Sequence, residues 1–135
     1  MAPEEKIAMS HRFEVKIYYE DTDAGGVVYY GNYLRYLERA RTEFLAAHGL
    51  DIAERHAAGE LYVVARVEID YRKPARLGDI LHITTEVQEV RAASLRLRHL
   101  ILKGDLLIAE AVVTIAHTDL SGKPRRLPPI FSTLR

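Results

Sequence analysis

The residues most able to do chemistry lie in one stretch. From Tyr18 to Tyr36 the chain reads YYEDTDAGGVVYYGNYLRY, with carboxylates at Glu20, Asp21 and Asp23, two glycines at Gly25 and Gly26, and a helical period beginning near Asn32. Four readings compete for it. Asp and Gly are turn residues, so a solvated turn is one. A calcium loop is the second, with Asp21, Asp23 and Gly26 at positions one, three and six. That reading lacks two ligands, because position five is Gly25 and position twelve is Asn32. A phosphate loop is the third, since a glycine pair precedes a helix start. No Lys follows the glycines as phosphate motifs require, and the acids would repel the anion. The fourth is a catalytic carboxylate facing a helix N-terminus, whose unpaired N–H groups near Tyr30 and Gly31 suit a carbonyl oxygen gaining negative charge. Composition alone does not separate the first reading from the fourth.

If the loop is catalytic, its sparseness limits the reaction. An amide needs a general acid for its nitrogen, and no Ser/His/Asp arrangement stands nearby. A thiolate can leave unprotonated, since thiol pKa values lie near ~8.5. Asp is already ionised at neutral pH and serves as base or nucleophile without tuning. Thioester hydrolysis therefore asks least of these residues.

Composition narrows the alternatives. The chain has 135 residues, with 19 Lys+Arg against 19 Asp+Glu and no Cys. The charge balance argues against a protein that holds nucleic acid by bulk electrostatics. Without Cys there is no disulfide, thiol nucleophile, Cys-based zinc site or iron–sulfur cluster. The six His show no metal-ligand spacing, and no metal or other cofactor is expected. No run approaches a membrane span and the N-terminus lacks a signal-peptide core, so a cytoplasmic protein without membrane insertion is expected. Six of the eight Tyr fall between Tyr18 and Tyr36, the others being Tyr62 and Tyr71.

Elements must position this loop. His11 to Tyr19 alternates, with Phe13, Val15, Ile17 and Tyr19 on one face, and predicts a half-buried strand. Asn32 is the expected N-cap and Gly49 the expected stop of one long helix carrying a Leu34/Leu37/Phe44 stripe. Asp51 to Gly59 predicts a short helical or irregular connection. Four alternating runs follow, at Leu61 to Arg72, Ile80 to Val90, Ser94 to Lys103, and Leu106 to Asp119, the last two joined by KGD as a hairpin. Such strands form an antiparallel sheet that buries one face under the helix. The strands outspan the helix, which leaves an edge or face for a second subunit. The whole chain, 1–135, reads as one domain with tails at about 1–10 and 123–135, the latter carrying KPRRLPP.

The segment from Tyr18 to Leu45 resembles the signature of the 4-hydroxybenzoyl-CoA thioesterase family, most nearly its branch of small acyl-CoA thioesterases encoded beside the Tol–Pal envelope system. VEIDYRKPARLGDIL and VRAASLRLRH resemble the family's later strands. The resemblance implies an α+β hotdog fold, one long helix wrapped by an antiparallel sheet of about five strands, in homodimers that pair into homotetramers. It implies an acyl-CoA thioester hydrolase whose catalytic acid, in the Thr-Asp-x-x-Gly unit, is Asp23. The family's carbonyl-polarising backbone N–H falls at Tyr30, with Gly31 as a further donor. Tyr30 stands where much of the branch has His, so an imidazole mechanism does not carry over, whereas a backbone role does. For substrate binding the resemblance points to Arg91 and Ser94 at a turn that holds CoA across a subunit boundary, with Lys123, Arg125 and Arg126 as further candidates. Tyr29, Tyr33 and the strand Leu61 to Val67 would line the acyl pocket. The alternative is a non-catalytic hotdog that binds acyl-CoA, acyl carrier protein or an envelope-system partner.

Overall fold

The computed structural model of the protein describes residues 10–131. Strand β1 (Ser10–Lys16) leads through a 3₁₀ turn (Tyr19–Asp21) and a loop into helix α1 (Asn32–Ala47), followed by a short helix α2 (Ile52–Ala57). Strands β2 (Glu60–Tyr71), β3 (Ile80–Val90), β4 (Ser94–Lys103) and β5 (Leu106–Asp119) complete one antiparallel sheet of order β1-β3-β4-β5-β2. Alternation predicted β3, β4 and β5 to the residue, and β2 within one position at each end. The β4–β5 hairpin turns on Gly104, whose φ of +59° supplies the left-handed first position of a two-residue loop.

Helix α1 ends as predicted. Gly49 has φ +91°, its N–H donates to the Ala46 carbonyl, and the Leu50 N–H reaches back to Leu45. Leu45 and Leu50 are both buried, completing a Schellman motif. The helix start and its buried face differ from expectation. Gly31, not Asn32, is the N-cap, and Asn32 is the first helical residue. The buried stripe is Tyr33, Tyr36, Leu37, Ala40, Arg41, Phe44 and Leu45, whereas Leu34 is 45% exposed. Leu37 is three residues from Leu34 and four from Tyr33, so apolar spacing admits either face. Two tyrosine rings bury more surface than one leucine, and they decide the rotation.

Strand β1 is shorter than its alternation. Phe13, Val15 and Ile17 do face the core side, but beyond Lys16 the Tyr18 N–H bonds the Asp21 carboxylate at 2.8 Å, and Tyr19 turns outward, exposed. The expected N-terminal tail lies outside the described residues, apart from Ser10, which pairs with Glu86 in the sheet.

The segment from Lys123, expected as a tail, is packed through residue 131. Its backbone pairs back onto β5 and the β3–β4 turn through Arg125 N–H to His117 and Leu127 N–H to Ala92. Leu127 and Phe131 are buried in the core. Prolines suit such a strap, which runs outside the sheet and needs few N–H donors.

Both ring nitrogens of His117 face acceptors: Nε2 lies 3.1 Å from Glu60 Oε1, and Nδ1 lies 3.0 Å from the Arg126 carbonyl. Burial would raise the Glu60 carboxyl, but the His117 hydrogen bond and the charges of Arg55, His117 and Arg125 outweigh it and hold it below its ordinary value. A carboxyl lowered in the fold stabilises above its unfolded pKa of ~4.3 and loses that contribution as pH falls through its folded value. Glu60→Gln is therefore expected to cost about 1–2 kcal/mol at pH 7. Urea unfolding at pH 7 and near pH 3.5 checks this: the gap between variant and wild type should narrow in acid, and a gap independent of pH would contradict it.

The sheet curves around α1, helped by bulges in β2, β3 and β5. Its inner face carries Ile83, Leu95, Leu97, Ile101, Val113 and Ile115, all buried. Its outer face carries ion pairs such as Arg98–Glu86 and Arg72–Glu110. Helix α1 packs on β1 and β3. The β2 end of the inner face is left open, with Val64 41% and Val67 36% exposed.

Candidate active site

The acidic loop is a small hairpin. Thr22 bridges Val28 antiparallel, Asp23 N–H donates to Val27 at 2.9 Å, and Tyr29 N–H donates to the Asp21 carbonyl at 3.1 Å. At its tip Gly26 N–H closes a turn onto the Asp23 carbonyl, with Gly26 at φ +79°. Gly25 N–H donates to Asp23 Oδ1 at 2.8 Å. Asp23 is exposed, and among the described residues its Oδ2 has no partner. One oxygen is anchored and the other is available.

The segment after β2 holds this hairpin in place. Val28 N–H bonds the Ala75 carbonyl, Leu77 N–H bonds Gly26, and Val27 bridges Arg76. Asp79 secures that segment, accepting from Arg76 N–H at 2.8 Å and pairing with Lys103 at 3.0 Å. Burial opposes ionisation of Asp79, yet these donors hold its carboxyl below the usual range. The run KPARLGD, expected only as a break between strands, thus buttresses the candidate catalytic loop.

Beyond the hairpin, Tyr29 to Gly31 forms the turn into α1. Tyr29 is pinned twice, its N–H on Asp21 and its carbonyl accepting from Asn32 N–H at 2.9 Å. The Tyr30 carbonyl accepts from Tyr33 N–H at 3.2 Å and from the Tyr71 hydroxyl at 3.3 Å. Among the described residues, the N–H groups of Tyr30 and Gly31 bond no acceptor. A Cβ added to Gly31 would stand 2.6 Å from the Tyr29 ring, so glycine lets that ring lie over the turn. The donors are held by their neighbours and left unfilled, the arrangement an oxyanion requires.

The tyrosines do not act alike. Tyr29 and Tyr30 are exposed, with ring centroids 4.9 Å apart. Tyr33, expected on the acyl-pocket wall, is 3% exposed, because the helix turns it inward. Burial raises its phenol. Tyr71, outside the sequence-predicted wall, joins the cluster at 6.1 Å from Tyr30 and 5.4 Å from Tyr33. Its only sequence signal was being an aromatic apart from the tyrosine run. Buried Tyr36 also has its phenol raised, by burial and by the Asp21 carboxylate.

Arg91 and Ser94 lie elsewhere. They form the β3–β4 turn, Arg91 N–H donating to Ser94 O at 2.8 Å, while the acidic loop sits at the other end of β3 beside Asp79 and Ile80. Eleven strand residues separate the two ends, roughly 33 Å of extended chain. One chain therefore does not bring Arg91 to Asp23. Arg91 is exposed and paired with Glu89 at 3.0 Å, and Glu89 also holds Arg96. Lys123, Arg125 and Arg126 are exposed on the strap that packs at this same end. Among the described residues, no group of three or more His, Cys, Asp or Glu is placed to hold a metal, and no helix is long and apolar enough to cross a membrane.

An exposed carboxyl group on a braced hairpin and a turn with unfilled N–H donors suit attack on an activated acyl group. A family model described as the thioesterase-like superfamily matches residues 18–133. The acyl-CoA thioester hydrolase YbgC of Escherichia coli O157:H7 is 43% identical over 119 residues, covering 87% of this chain and 89% of that protein. The acyl-CoA thioesterase YbgC of Haemophilus influenzae is 41% identical over 120 residues, covering 86% and 87%. The crystal structure of a probable thioesterase from Bartonella henselae superposes with a TM-score of 0.84 at 36% identity, covering 88% of this chain and 99% of that one. The fold is the hotdog fold that the sequence resemblance implied, and the chain belongs to the thioesterase-like superfamily.

Proposed function

We propose that the protein, acting as one hotdog domain, hydrolyses acyl-CoA thioesters to a free acid and CoA. The observation that carries this reading is the pair of unfilled N–H groups at Tyr30 and Gly31, in a turn hydrogen-bonded to the arm that carries Asp23. The thioester carbonyl oxygen sits on these donors. Asp23 takes a proton from water as the water oxygen adds to the carbonyl carbon, or its carboxylate adds directly. The carbon–sulfur bond then breaks, and the thiolate leaves without needing a general acid; on the direct route this leaves a mixed anhydride, which water hydrolyses to the free acid. Neither route uses a metal or other cofactor, and a CoA thioester substrate goes with a cytoplasmic location.

The acyl group would lie against Tyr29 and Tyr71, with Tyr33 behind them. For the nucleotide, β2 has a free edge and an exposed apolar inner face of Val64, Val67 and Tyr71. A second copy related by a two-fold axis pairs with that edge antiparallel. It brings its own Arg91, Ser94 and strap arginines to the loop end of the first, and two such dimers form the tetramer.

The test is release of free thiol from a panel of aliphatic and aromatic acyl-CoAs, in oxygen-18 water for single-turnover samples. Turnover with at least one class is expected, on the order of 1–10³ s⁻¹. Tight binding of the panel with no thiol release would favour the non-catalytic alternative. Label in Asp23 after one turnover would assign nucleophilic attack, and label confined to the product would assign the general base.

A further inference from the structure

Asn32 was expected to cap the helix with its side chain, but it does something else. It is the first residue of α1, and its Nδ2 donates 2.9 Å backwards to the Asp21 carbonyl. That carbonyl also accepts from Tyr29 N–H at 3.1 Å, while the Asn32 backbone N–H holds the Tyr29 carbonyl at 2.9 Å. Asn32 therefore grips both sides of the turn: the acidic arm through its side chain and Tyr29 through its main chain. Because the acceptor is a carbonyl, only the amide N–H₂ of Asn32 suits this contact. The bond is partly buried, which lowers competition from water.

Resting on the reading of Tyr30 and Gly31 as oxyanion donors, we infer that Asn32 is a positioning residue for hydrolysis: its side-chain amide ties the Asp23 arm to the helix start and fixes the direction of those two N–H groups. Only Gly31 separates Asn32 from Tyr30, so a relaxed arm rotates the peptide planes that carry the donors. Donor misalignment acts on the charge developed in the transition state more than on the neutral ground-state carbonyl. The effect therefore falls on kcat more than on KM.

Asn32→Asp and Asn32→Ala test this on the full-length protein, with the best acyl-CoA of the panel. Asp keeps the shape and loses the donor, and Ala removes the group without adding charge. Both are expected to lower kcat by about tenfold and to leave KM within about twofold. The Asp variant should keep or gain thermal stability, since a carboxylate in the first helical turn is favourable there. That outcome separates positioning from a merely structural role. A rise in KM with kcat unchanged, or a loss confined to the Asp variant, would overturn the inference. Asp23→Asn measured alongside separates the two levels. If it retains full turnover, the reading of the site fails; if it is inactive while both Asn32 variants keep wild-type kcat, the Asn32 inference alone fails.

Discussion

Asp23→Asn is expected to lower kcat on acyl-CoA by about 10³-fold, the middle of the range for loss of a positioned acid–base group. The substitution is a clean one. Gly25 N–H donates to Asp23 Oδ1, and an asparagine Oδ1 accepts the same bond, so the turn keeps its shape. What disappears is the anionic oxygen with no partner among the described residues, and an amide is neither a base nor a nucleophile at neutral pH. Steady-state thiol release with circular dichroism as a folding control measures it, and undiminished turnover by the folded variant would remove Asp23 from the mechanism. Asp21→Asn is the comparison. The Asp21 carbonyl holds Tyr29 and Asn32 and is unchanged by the substitution, while its carboxylate accepts the Tyr18 N–H and faces the buried Tyr36 phenol. Its effect should stay within about tenfold.

Val67→Arg is expected to yield a monomer with kcat/KM lower by about 10²-fold. Val67 stands on the inner face of β2, opposite Val113 and next to half-buried Ile69, on a strand that among the described residues pairs only with β5. Within one subunit it is already partly exposed, so an arginine reaches water without disturbing the core. Across an edge-to-edge dimer it would bury two unpaired cations near the axis, which association cannot tolerate. In the proposed dimer, dissociation would take the partner's Arg91 away from the Asp23 end, and with it the proposed grip on the nucleotide. Analytical ultracentrifugation with kinetics on the same sample reads both outcomes. A variant that stays dimeric contradicts the edge assignment, and a monomer with full activity places the whole site within one chain.

The two ends of the sheet explain why some candidate site residues were legible in the sequence and others were not. Asp23, Tyr30 and Gly31 lie within nine positions and share one hairpin and turn, so a contiguous motif contains them. Tyr71 and the 75–79 segment reach the same place through the β2–β5 pairing and the return to β3, contacts with no local signature. Asn32 was visible as a polar residue at a helix start, but its spacing could not tell a cap from a backward clamp. Only the path of the hairpin puts the Asp21 carbonyl within its reach.

Period and turn chemistry were local and therefore legible. Two-residue alternation set the long strands and Gly49 set the end of α1, while the candidate acid was marked by the resemblance of the Thr-Asp-x-x-Gly unit to the family motif. Rotation of α1, burial of Leu127 and Phe131 on the strap and the separation of Arg91 from Asp23 were decided by tertiary structure alone. Each depends on which surfaces compete for the same core: Tyr33 and Tyr36 displace Leu34, and Phe131 finds a place in the interior despite its proline-rich approach. Spacing along a chain records what a residue can do locally, whereas burial is settled by packing between segments far apart in sequence.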